Sequence, residues 1–200
     1  MNRTVEYYTV KIDSVKELTW VYSAEELQRS LEAELKGQTL KRLFVSLYGY
    51  LASQRKTEDL FDFSYMGGTL LLCFDRTVLE LSIHGAGLMQ YRLMSAYEVK
   101  LPPYGRIDRP PLDTGLGGGY YYDLGKELTE KCLGMAVDGI AVAKTEAYPF
   151  DLAGFDREMG AKAEERGDLP ESVELLMQGG TALKLIGDNL EYFVVRIGKR

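Results

Sequence analysis

Apolar and polar residues alternate over most of this chain, and one stretch departs cleanly toward helical spacing. Leu27, Leu31 and Leu35 recur every four residues and so form one stripe of a helix. Ser23-Ala24-Glu25-Glu26 opens the stripe as a capping box, in which the Ser hydroxyl accepts an orphan N–H and Glu26 reaches back. Gly37 follows, a residue that tolerates the left-handed conformation just past a helix end. Elsewhere the period is two. Residues 4–12 are rich in β-branched and aromatic side chains, and the sets Leu18/Trp20/Tyr22, Leu43/Val45/Leu47 and Phe61/Phe63/Tyr65 alternate as strands do. The polar run 52–58 reads as a loop. Leu70 to Phe74 is apolar on both faces, which predicts a central strand covered twice. Residues 78–84 pair with it, and the segments 88–94 and 97–101 extend the same antiparallel meander.

The pattern then returns. GGTLLLCFDRTVLEL (67–81) is echoed by GGTALKLIGDNLEY (179–192), and LEAELKGQTLKRLFVSL from Leu31 by LTEKCLGMAVDGIAVAK from Leu128. Each copy reads as a helical tail, a glycine stop, a strand and a hairpin whose turn residues tolerate positive φ. The expected fold class is therefore α+β, with internally duplicated helix–strand–hairpin units and mainly antiparallel sheet. The N-terminal unit is residues 1–100 and the C-terminal unit 120–200, packed as one compact body. Residues 101–119 connect them, holding four of the six prolines and five of the 21 glycines. Asp123 caps an expected second helix running to about Leu133, and 153–168 reads as a charged surface helix with a Glu158–Lys162 pair.

Composition narrows the classes of partner. The chain is 46% apolar and 27% charged, ordinary for a globular protein, and carries a net charge of -6. An acidic chain without a basic cluster disfavours nucleic acid. Residues 156–174 hold seven acids against three bases, a local -4. The N-terminus lacks the apolar core of a secretory signal, and no apolar run is long enough to cross a bilayer, so a cytoplasmic location without membrane attachment is expected. Cys73 and Cys132 fall on apolar elements with no CxxC partner, and His84 is the only histidine. No metal and no cofactor is expected from such a set.

The candidates for chemistry are few. Glu80, Ser82 and His84 share one face of a strand and supply the residue types of an acid, a nucleophile and a base. Side chains two apart on a strand stand parallel, however, instead of meeting in the hydrogen-bonded chain a triad needs. Glu191 matches Glu80 in the second copy, and paired carboxylates are a known catalytic device when a cleft joins them. GLGGGY (115–120) ends in Tyr120 where a dinucleotide fingerprint needs glycine, and it follows no strand. Tyrosines in a glycine-rich setting make adaptable contact surface, which singles out Tyr104, Tyr120, Tyr121 and Tyr122. Glu164 and Glu165, within the acidic stretch, are further binding candidates. The leading expectation is a non-enzymatic interaction module, immunity- or inhibitor-like, that binds a protein partner of basic character through the acidic or the Tyr/Gly surface. A small-ligand-binding protein with a cleft between the copies is the alternative. A hydrolase using Glu80, His84 or Glu191 stands third.

Overall fold

The computed structural model describes residues 9–46, 50–56, 60–66, 69–83, 89–100, 112–113, 120–123, 131–144, 169–188 and 192–199. Among them is one helix, α1 (Ala24–Leu35), and fourteen strands. The molecule is predominantly β, which overturns the α+β expectation of repeated helix–strand–hairpin units.

Two sheets divide the strands. The first runs β1 (Thr9–Val15), β9 (Leu112–Asp113), β10 (Tyr120–Asp123), β3 (Arg42–Ser46), β6 (Thr69–Cys73), β7 (Thr77–Ile83), β8 (Met89–Lys100) and β2 (Thr19–Trp20). Strand β8 is 12 residues long, and its length closes this sheet. Residues 89–95 pair with β7, while on its other edge 90–91 pair with β2 and residues from Met94 to Lys100 pair with β1. Because β1 also meets β9, seven strands form a ring, and closure removes the exposed edges that an open sheet must protect. The second sheet is open and antiparallel, in the order β11 (Val137–Lys144), β12 (Pro170–Met177), β13 (Thr181–Asp188), β14 (Tyr192–Lys199), β5 (Leu60–Met66) and β4 (Tyr50–Lys56). Strands early in the chain thus complete the second sheet, and β9 and β10 complete the first.

One core serves both sheets. The α1 stripe Leu27, Leu31 and Leu35 is buried, as its spacing requires. It joins Leu70, Leu72, Leu79 and Leu81 of the first sheet and Val173, Leu175, Leu183, Leu185, Val195 and Ile197 of the second. Burying each such side chain contributes about 2 kcal/mol. The helix begins as its sequence dictates, with the Ser23 hydroxyl accepting from the Glu26 N–H at 3.3 Å. It ends before Gly37, whose φ of 80° only glycine adopts without strain.

Beyond α1 the chain meets its own later part in a reciprocal clasp. The Gly37 N–H donates to the Val137 carbonyl and the Gly134 N–H to the Leu40 carbonyl, both at 2.8 Å. Leu40 N–H reaches the Met135 carbonyl at 3.0 Å, and Val137 N–H reaches Gln38 at 2.9 Å. Gly134 shares the φ of Gly37, yet residues 131–134 are a turn and not the last turn of a helix; 124–130 lie outside the described residues.

The Gly-Gly-Thr echo also corresponds to different places. Thr69 opens β6, which pairs with β3, the strand after α1. Gly179 and Gly180 form the turn between β12 and β13, and it is β12, not β13, that pairs with β11. A glycine pair marks a turn without specifying which strands the turn joins, so the echo misled. Of the expected loop 52–58, residues 52–56 depart from expectation, since Tyr50–Lys56 form β4, and 57–58 lie outside the described residues. Of the expected charged helix, 153–168 lies outside the described residues.

Candidate functional site

Alternation along β7 sends Leu79 and Leu81 into the shared core and turns Glu80 and Ser82 to the opposite face. Glu80 is 6% exposed. Directly across the ladder stands Arg92 of β8, whose Nε donates to Glu80 Oε2 at 2.9 Å while its Nη2 donates to the same oxygen. One rung away, Thr69 and Ser82 face each other in register with their hydroxyls 2.9 Å apart. Gln90, also buried, is the rung partner of Ser82 on the other side. The same face carries buried Leu71, Cys73, Val78 and Met94. The first sheet therefore holds a band of paired polar side chains set against apolar ones.

This arrangement defines what the sequence candidates do locally. The Glu80 carboxylate pairs with the Arg92 guanidinium across the β7–β8 ladder, a charge-assisted contact between two largely buried side chains. Ser82 is bonded to Thr69 rather than to a base. His84, Glu191, Tyr104, Glu164 and Glu165 lie outside the described residues. Tyr120, Tyr121 and Tyr122 belong to β10, whose backbone pairs with β9 on one edge and β3 on the other, opposite Ser46 and Val45 in the latter case. Arg92 was not singled out from sequence, although a signal existed. Antiparallel pairing of 77–83 with the alternating segment that follows brings position 92 across from position 80.

A second constellation clamps the β6–β7 turn. The Thr39 N–H donates to Asp75 Oδ2 at 2.7 Å, and Lys41 Nζ lies 2.9 Å from Asp75 Oδ1. Gln38 is buried and bridges three elements. It donates to the Glu34 carbonyl at the end of α1 and to Thr77 Oγ1 at 2.8 Å, and accepts from the Arg76 N–H at 2.9 Å. Partial burial works against the Asp75 carboxylate, but the hydrogen bonds from Lys41 and Thr39 outweigh it and hold its pKa below the ordinary 3.8. Burial alone pushes the Cys132 thiol up to about 12, which keeps it protonated and unreactive at neutral pH.

The surface offers a groove along α1. Ser30 and Ala33 are small, so the helix leaves a gap of about 250 Å3 against Tyr91 and Leu93 of β8, edged by Glu17 and Thr19. Lys16 Nζ spans its mouth to Glu34 Oε1 at 3.1 Å. A wider hollow of about 480 Å3 continues past Ser30, Ala33 and Tyr91 to Glu26 and Arg29. Leu18 stands in the chain between the groove residues Glu17 and Thr19 without lining the groove itself, and at 40% exposed it is the one large apolar side chain so exposed among the described residues. Among those residues no three His, Cys, Asp or Glu side chains gather as a metal site would require, and no helix is long and apolar enough to cross a membrane. Compared with protein-family models, curated proteins and solved structures, the chain matches none.

Proposed function

We propose that this chain is a non-enzymatic protein-binding module of the immunity or inhibitor kind, and that the groove along α1 is part of its contact surface. The observation that supports this reading is a groove lined by Tyr91, Leu93 and Ala33 next in the chain to the exposed Leu18. An isolated exposed leucine is ordinary, but a groove with an aromatic side chain in its wall offers the kind of site where interface anchors cluster, and Leu18 adds apolar area close to it in the chain. The chain's net charge of -6 favours a partner of basic character, since complementary charge speeds encounter and rejects wrong partners. The alternative, a small-ligand-binding protein, calls for a cleft between the two copies.

The test fills the groove and removes its anchor. Ala33→Trp and Leu18→Lys are compared with wild type by quantitative co-purification from the native cells and then by direct titration of the recovered protein. Each variant is expected to weaken association by about tenfold or more, or about 1.4 kcal/mol, with an unchanged melting profile. Undiminished binding by both variants would move the interface away from α1. Tyr104, Tyr120 to Tyr122, Glu164 and Glu165 would then be the positions to substitute next.

A further inference from the structure

We draw no further inference here: the strongest candidate, the partner chemistry of the groove between α1, β2 and β8, belongs to the site already described, and its rim sets Glu17, Glu26 and Glu34 against Lys16 and Arg29, so nothing in the structure shows what covers it.

Discussion

Four side chains set the energetics at the scale of single residues. Arg92 and Glu80 face each other with 21% and 8% of their side chains exposed, so deleting one leaves a charge in a poorly solvated place. Arg92→Ala is expected to cost about 3 kcal/mol in chemical denaturation, and the double change Glu80→Leu/Arg92→Met to recover most of it. If the double variant is as unstable as the single one, the pair contributes more than mutual neutralisation. Asp75 carries a pH signature because its folded pKa is depressed. Its contribution is present above the ordinary carboxylate value and is lost as pH falls through the depressed one. Asp75→Asn should therefore be less stable than wild type at neutral pH, with the difference shrinking in acid; urea midpoints across pH 2–7 read this directly. Cys132 has the opposite sign. Its raised pKa makes stability fall as pH climbs from the ordinary thiol range toward about 12. At neutral pH a maleimide should modify Cys132 only as fast as the protein opens, a rate readable by mass spectrometry of the labelled peptide.

At the scale of elements, α1 is the piece most dependent on its own sequence. Loss of the cap in Ser23→Ala should cost about 1 kcal/mol, and the cavity left by Leu31→Ala about 3 kcal/mol, because Leu31 is completely buried. Gly37 and Gly134 have open space where a Cβ would sit, so alanine at either position meets strain and not a clash. Each substitution should cost about 1 kcal/mol, and similar values at the two would match the reciprocal bonding of the clasp. The acidic segment raises a kinetic expectation of its own. Glu164→Lys with Glu165→Lys should slow association with a basic partner and flatten its salt dependence, leaving the melting temperature nearly unchanged. Identical on-rates and salt slopes for wild type and variant would exclude this segment from the encounter.

For the whole molecule the decisive fact is that the sheets draw on both ends of the chain. Strand β5 lies between β14 and β4, and β10 lies beside β3, while α1 packs into a core common to both sheets. Unfolding should accordingly be a single cooperative transition, with calorimetric and van't Hoff enthalpies in agreement. Fragments 1–100 and 120–200 expressed alone should each lack such a transition, since each would leave sheet edges and core faces uncovered. Two separately melting units would contradict a shared core.

How much could be read beforehand follows from which forces are local. Helix α1, its Ser23 cap and its end at Gly37 are encoded within a dozen residues, as are the burial of Leu70 to Phe74 and the sharing of one strand face by Glu80 and Ser82, though not the burial of that face. Capping bonds, left-handed glycines and the two-residue strand period act between near neighbours, so the sequence determined them by itself. Strand partners are another matter. An apolar alternation states that a face is buried without stating against what, and the Gly-Gly-Thr echo precedes strands, β6 and β13, that are paired in different ways. Residues 50–56 became a strand despite their polarity because the edge beside β5 offered backbone partners. The Glu80–Arg92 pair, the closure of the first sheet by β8 and the groove left by Ser30 and Ala33 depend on register and on packing between segments far apart in sequence. Only the tertiary structure decided those, because hydrogen-bonded pairing and shape complementarity have no energy until the distant strands are in place.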